Sequence, residues 1–99
     1  MDKNVLSGAN VSFYCVGFAD PPPEIFWEKN SERIETSDRI KVDAVQGSGQ
    51  LRIYSVTVGD AGVYECVYKN SLGELRRSAK LTVDGQLRTG QFNLVLINL

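Results

Sequence analysis

The sequence contains no histidine and only two cysteines, Cys15 and Cys66, among its 99 residues. Without an imidazole, neither a Ser-His nor a Cys-His nucleophile can be assembled. Two cysteines are too few for a structural zinc site, which takes four Cys or His ligands. The glycine spacing of a phosphate-binding loop is absent as well. The sequence therefore predicts no catalytic site, no metal and no cofactor.

Neither sign of charge is in excess, because 11 basic side chains face 12 acidic ones and the net charge is −1. A protein that follows a phosphate backbone needs a clustered excess of Lys and Arg, so we expect no nucleic-acid partner. No apolar run approaches the roughly 20 residues that span a bilayer, so we expect no direct membrane insertion by this chain.

Short runs rich in β-branched and aromatic residues recur every 8 to 12 residues, separated by Gly, Pro, Asn, Asp and Ser. This spacing is typical of an all-β sandwich or barrel. In the first run Phe13 and Cys15 alternate with Tyr14, which predicts a strand with one buried face. In the next run we expect Trp27 to point inward and Phe26 outward.

Four further runs predict strands, and a length of 99 residues suits one domain of this class. We expect Gln46-Gly47-Ser48-Gly49 to be a flexible connection between two of them. The apolar residues that mark these strands are Ile40 and Val42; Leu51 and Ile53; Tyr64, Cys66 and Tyr68; and Leu75, Ala79, Leu81 and Val83.

One constellation of residues is specific to a known fold. Trp27 lies twelve positions after Cys15, and residues 60–66 read Asp-Ala-Gly-Val-Tyr-Glu-Cys. This pattern resembles the immunoglobulin fold, in which a tyrosine precedes the second cysteine by two residues. Residues 66–74 and 79–83 resemble the intermediate (I-set) type, found in cell-adhesion molecules, receptor ectodomains and giant muscle proteins. The resemblance covers residues 4–83 and implies a two-sheet Greek-key sandwich.

The resemblance also implies structural roles for six residues. These roles are a disulfide between Cys15 and Cys66, packing of Trp27 against it, a hydrogen bond from Tyr64 to upstream backbone, and an ion pair of Asp60 with Arg39. A disulfide that closes a loop of this length stabilises by about 4 kcal/mol on the chain-entropy model. Function must lie on the surface, because the fold alone implies none.

Two sheet faces are candidate partner surfaces. On one face we expect Phe26, Val67 and Arg76 to be exposed together, and an ordinary mixed sheet face is the alternative interpretation. On the other face Tyr14 and Tyr54 share outward parity, and Tyr is enriched in binding hot spots.

Asn10-Val11-Ser12 forms a glycosylation sequon, so Asn10 is a candidate glycan site. The alternative is a chance triplet, since such sequences arise often.

The C-terminal segment departs from the family pattern. We divide the chain into an I-set domain at residues 1–83, with a first strand that is missing or cut short, and an atypical apolar tail at residues 84–99. Phe92, Leu94 and Leu96 belong to an uncharged, β-prone run without proline. One hypothesis is that this run supplies a strand to the sheet edge left vacant by the missing first strand, within the chain or swapped in a homodimer. The alternative is a disordered remnant of splicing or of a chain boundary.

The favoured function is a non-enzymatic, protein-binding adhesion module of a multidomain cell-surface receptor, with other proteins, including further copies of itself, as partners. The sequon and the cysteine pair indicate a secreted or membrane-attached extracellular glycoprotein. The first alternative is an intracellular I-set module of a muscle or cytoskeletal scaffold. The second is a structural spacer that binds nothing by itself.

Overall fold

The computed structural model describes residues 2–45 and 47–85. These residues form eight strands and one turn of 3-10 helix. In chain order the elements are β1 (Lys3–Leu6), β2 (Val11–Val16), β3 (Glu24–Lys29), β4 (Glu32–Arg33), β5 (Ile40–Val45), β6 (Ser48–Ile53), the 3-10 helix (Val58–Asp60), β7 (Gly62–Asn70) and β8 (Gly73–Asp84).

The strands form two sheets, which we call the front sheet (order β1-β8-β7-β3-β4) and the back sheet (order β2-β6-β5). All strand pairs are antiparallel except β1 with β8, which run parallel. The two sheets pack face to face, as each has one apolar side. The all-β immunoglobulin-like sandwich that the sequence predicted is therefore confirmed.

The core lies between the sheets and is built from the inward positions of the alternating runs. Phe13 on β2 stacks on Tyr64 of β7, with ring centroids 5.4 Å apart, and lies 6.2 Å from Trp27 of β3. The Cys15–Cys66 disulfide joins β2 to β7 and so cross-links the two sheets. The sequence indicated each of these inward positions because successive side chains of a strand point to opposite faces of the sheet.

The expected flexible connection is partly wrong, because Ser48 and Gly49 belong to β6. Gly49 is buried and lies opposite Cys15 in the strand register. A Cβ atom there would lie 2.8 Å from Ile25 Cγ2 and 3.1 Å from the Sγ of Cys15. Glycine is thus required by close packing against the disulfide, whereas Gln46 lies outside the described residues.

The edges of the two sheets differ. In the front sheet, β1 fills the edge position beside β8, with Leu6 opposite Asp84. In the back sheet, β2 has β6 on one side and no described strand on the other. The tail run with Phe92, Leu94 and Leu96 lies outside the described residues, so its strand stays a prediction.

Candidate partner surfaces

The lower end of the sandwich, formed by Arg39 and the 3-10 helix, is closed by an ion pair. Arg39 donates two hydrogen bonds to the Asp60 carboxylate, at 3.0 and 3.1 Å, and the Thr57 backbone N–H donates a third at 2.8 Å. Burial of Asp60 opposes ionisation, but the Arg39 and Thr57 hydrogen bonds outweigh it and hold the pKa of Asp60 below its usual value. This site stabilises the fold rather than offering a surface to a partner.

Tyr64 completes the lower end. Its ring is buried and its hydroxyl donates a hydrogen bond to the Asp60 carbonyl. Burial, with the nearby Asp60 charge, raises the pKa of Tyr64 to about 12. The hydroxyl therefore stays protonated and hydrogen-bonded throughout the ordinary pH range.

The outer face of the front sheet carries a network of charges centred on Arg76. Its guanidinium contacts Glu28 at 2.8 Å, Glu65 at 3.1 Å and Glu74 at 2.7 Å. Hydrogen bonds to Glu28 and Glu74 raise the pKa of Arg76 above its usual value. Because three carboxylates from three strands contact one cation, these side chains hold one another in place.

Phe26 lies on the same face, beside the Arg76 network. The Arg33 guanidinium stacks over its ring at 4.5 Å and pairs with Glu24 at 3.2 Å. The expectation that Val67 is exposed is wrong, since its exposure is 0%. Val67 has outward parity, but it lies between Phe26 and Arg76 in the strand register, and these larger side chains flank it.

The outer face of the back sheet brings Tyr14 and Tyr54 into one hydrogen-bonded network. Tyr14 is 63% exposed and accepts a hydrogen bond from Gln50 at 2.9 Å. Arg52 donates to Gln50 and to the hydroxyl of Tyr54, each at 3.4 Å, and pairs with Asp43 at 3.6 Å. The charged groups on this face make fewer and longer ion pairs than those around Arg76.

Asn10 is exposed just before β2, at the lower end of the back sheet. Its side-chain oxygen accepts a hydrogen bond from the Ser55 backbone N–H at 3.0 Å. That bond leaves the side-chain nitrogen, the atom that carries an N-linked glycan, outside the contact.

A groove that sequence reasoning missed lies at the upper end of the sandwich, where β2 ends and β8 begins. The groove has a volume of about 400 Å³, with Tyr68 and Arg77 in its lining. Its apolar lining includes Val16, Phe18, Leu72 and Leu75, which are between 58 and 87% exposed. Phe18 and Leu72 lie in loops, where an apolar residue carries no periodic signal. The one sequence feature that could have pointed to the groove is the presence of large apolar residues in loops.

Among residues 2–45 and 47–85, no group of three or more Cys, Asp or Glu side chains is placed to hold a metal ion. The same part of the chain has no helix that is long and apolar enough to cross a membrane.

Comparison with known proteins agrees with this architecture. The immunoglobulin I-set domain model matches residues 1–83, so the chain belongs to the immunoglobulin I-set family. Receptor-type tyrosine-protein phosphatase F of Mus musculus is 38% identical over 93 residues, which are 90% of this chain and 5% of that protein. Cell adhesion molecule Dscam1 of Drosophila melanogaster is 39% identical over 89 residues, 85% of this chain and 4% of that protein.

A solved structure, the Titin M10-Obscurin like 1 Ig complex, contains a chain that is 33% identical to this one. The alignment covers 85% of this chain and 86% of that one, with a TM-score of 0.79. The similar proteins therefore include a receptor, a cell adhesion molecule and a chain from a titin complex. This chain spans only a small fraction of the receptor and adhesion proteins that it matches.

Proposed function

We propose that the chain is a non-enzymatic, protein-binding module of a multidomain adhesion or receptor protein at the cell surface. The Cys15–Cys66 disulfide is the observation that carries the extracellular assignment, because disulfides persist in oxidising compartments and are rare in the cytosol. The similarity to receptor-type phosphatase F and to Dscam1 supports the same assignment.

The outer face of the front sheet is the proposed binding surface. Arg76 and its three glutamates, together with Arg33 over Phe26, form a set of charged groups held by their own contacts. A surface that is already ordered loses less side-chain entropy on binding, and paired charges of both signs favour a partner with a complementary charge pattern. Another copy of this face would meet that requirement, so the proposal includes homophilic pairing.

A glycan on Asn10 would favour the front face over the back face. Asn10 stands at the start of β2, next to the back-sheet residues, so a bulky sugar there would cover part of that surface. The front sheet would remain uncovered. We therefore propose Asn10 as a modified residue of the secreted protein.

Binding can be tested with the full chain, secreted from animal cells and presented as a multivalent reagent to live cells and to beads coated with itself. We expect binding that Arg33→Glu reduces at least about tenfold, because the new charge would lie beside Glu24. Lys41→Glu, an equal charge change on an exposed residue of the back sheet, should bind normally. Equal binding by both variants would reject the front face, and no binding by the unaltered chain would reject the proposal.

An intracellular scaffold module is the second candidate, favoured by the 33% identity to a chain of the Titin M10-Obscurin like 1 Ig complex. Such a module must work with its cysteines reduced. The secreted protein should show no free thiol and a larger mass at the Asn10 peptide. A domain that folds with unchanged stability in a reducing buffer, and that leaves secreting cells without a glycan, would support the intracellular alternative.

A further inference from the structure

The two sheets do not meet along one side of the sandwich, between β2 of the back sheet and β1 and β8 of the front sheet; we call this gap the seam. A small cavity of about 70 Å³ lies in it, lined by residues of all three strands and by the disulfide. The larger groove at the upper end continues the same line, because Arg77 lines both spaces.

Inward-facing positions of β8 are left uncovered along this seam. Leu75 lies opposite Tyr68 in the strand register, a position that faces the core, yet Leu75 is 58% exposed. Arg77 lies opposite Cys66 and also faces inward, and in the described part of the chain no carboxylate pairs with it. Both side chains point to where a further strand of the back sheet would lie.

β2 has an open edge facing this space, since β6 is its one neighbour among the described strands. An edge strand presents unpaired backbone N–H and C=O groups and pairs readily with another extended segment. The seam therefore combines a backbone template with an apolar groove beside it. An extended, apolar and uncharged segment is the occupant that satisfies both features.

The chain contains such a segment. Residues 92–97 read Phe-Asn-Leu-Val-Leu-Ile, with no charge and no proline, so every residue but the asparagine is apolar. We propose that residues 92–97 add to the open edge of β2 within the same chain, with their apolar side chains over Leu75 and into the upper groove.

The length of the chain fits this path. β8 ends at Asp84 beside Leu6 at the lower end, and β2 starts nearby after the Ser7–Asn10 connection and runs upward. At about 3.3 Å per residue, residues 86–99 can reach roughly 45 Å, whereas twelve-residue β8 spans about 40 Å. Residues 86–91 can cross between the sheets, and residues 92–97 then lie alongside β2, parallel to it. The Arg77 guanidinium can donate to the carbonyls of the added strand.

Amide hydrogen exchange of the full chain tests this proposal. We expect the β2 amides that face away from β6 to be protected at least about tenfold, and the protection to vanish in Leu94→Asp/Leu96→Asp. The control Thr89→Asp/Gln91→Asp adds the same charge outside the added strand and should keep the protection. On the groove side, Leu75→Asp should lower the protection, whereas Val45→Asp, at an exposed apolar residue of β5, should not.

Light scattering on the same samples decides whether the pairing is within one chain. A monomer with protected β2 amides supports the proposal. Unprotected β2 amides in the unaltered chain, or protection that Leu94→Asp/Leu96→Asp leaves unchanged, would overturn it. Protection that appears only with a concentration-dependent dimer would also overturn it, in favour of a strand exchanged between two copies.

Discussion

Each end of the sandwich has a buried tyrosine on β7, and the two tyrosines differ in the hydrogen bonding of their hydroxyls. Tyr64 and Tyr68 are both buried on the inner side of β7, one above and one below Cys66. The Tyr64 hydroxyl is hydrogen-bonded to Asp60, while the buried Tyr68 hydroxyl has no hydrogen-bond partner in the described part of the chain. The lower end is thus closed by its own polar groups, whereas the buried hydroxyl at the upper end makes no hydrogen bond among the described residues.

Burial raises the pKa of both tyrosines, but the charged group beside each ring has the opposite effect in the two cases. Tyr64 lies beside Asp60, whose negative charge adds to the effect of burial, and its pKa rises to about 12. For Tyr68, burial raises the pKa while the positive charge of Arg77 opposes the rise. The two tyrosines therefore differ in the charged group beside them, a carboxylate at the lower end and a guanidinium at the upper end.

The largest expected effect is at the lower end. Asp60→Ala should lower the free energy of unfolding by about 3 kcal/mol, because it removes the partner of Arg39 and leaves the Thr57 N–H unsatisfied. Urea unfolding followed by tryptophan fluorescence measures this loss. Asp43→Ala, which breaks the exposed pair with Arg52, should cost less than about 0.5 kcal/mol. Similar losses for the two variants would mean that the Arg39–Asp60 pair contributes no more to the free energy of unfolding than the exposed Arg52–Asp43 pair.

Two glycines extend the comparison to packing. Gly49→Ala should cost about 1–3 kcal/mol, because the new methyl group meets Ile25 and the disulfide in the closed middle of the core. Gly17→Ala places a Cβ 2.7 Å from the Tyr68 ring, which borders the open groove. Since that ring can move into the groove, we expect a smaller loss, about 1 kcal/mol. Thermal unfolding of both variants would contradict this account if Gly17→Ala were the more damaging.

Acid should act through the lower end. The pKa of Asp60 is lowered in the folded state, so its stabilisation is present above the unfolded pKa of about 3.9 and is lost as the pH falls through the folded value. The stability difference between the unaltered chain and Asp60→Asn should therefore be full at pH 7 and shrink below about pH 4. Urea midpoints measured from pH 7 to pH 2.5 test this, and a constant difference would exclude Asp60 as the titrating group.

The smallest expected effect is at the rim of the upper groove. Leu72→Ser should change stability by less than about 0.5 kcal/mol, since the side chain is 80% exposed in a hairpin turn. The same urea experiment measures it, with Leu51→Ala as the buried reference, for which we expect a loss of 2–5 kcal/mol. A large loss for Leu72→Ser would mean that this side chain is covered in the full chain, as it would be if residues 92–97 extended over it as well as over Leu75.

The lower end could be predicted because residues 60–66 resemble a motif of the immunoglobulin fold, and that resemblance implies the roles of Asp60, Tyr64 and Arg39. The Asp60–Tyr64 run and the paired cysteines specify strand, turn and cross-link together. Strand alternation likewise predicted which side chains of β2, β3 and β7 face inward.

The surfaces were harder to predict than the lower end, because they depend on contacts between residues that are distant in the sequence. Parity placed Val67 on the outer face but carried no information on the larger neighbours that flank it. The sequence around Gly49 predicts a flexible loop, and only the structure shows that a Cβ atom at this position would clash with Ile25. The upper groove arises where the turn around Leu72 meets the loop with Phe18, a contact that no periodicity reveals.

The comparison of Tyr64→Phe with Tyr68→Phe tests the central claim most directly, since each variant removes one buried hydroxyl and leaves the ring in place. Tyr64→Phe should lower the free energy of unfolding by about 1–3 kcal/mol, because the buried Asp60 carbonyl loses its donor. Tyr68→Phe should cost nothing or stabilise slightly, because no hydrogen bond of the described structure is lost. Urea unfolding of the two variants side by side gives both values. Equal losses would contradict the account, since the upper end would then be as tightly closed as the lower.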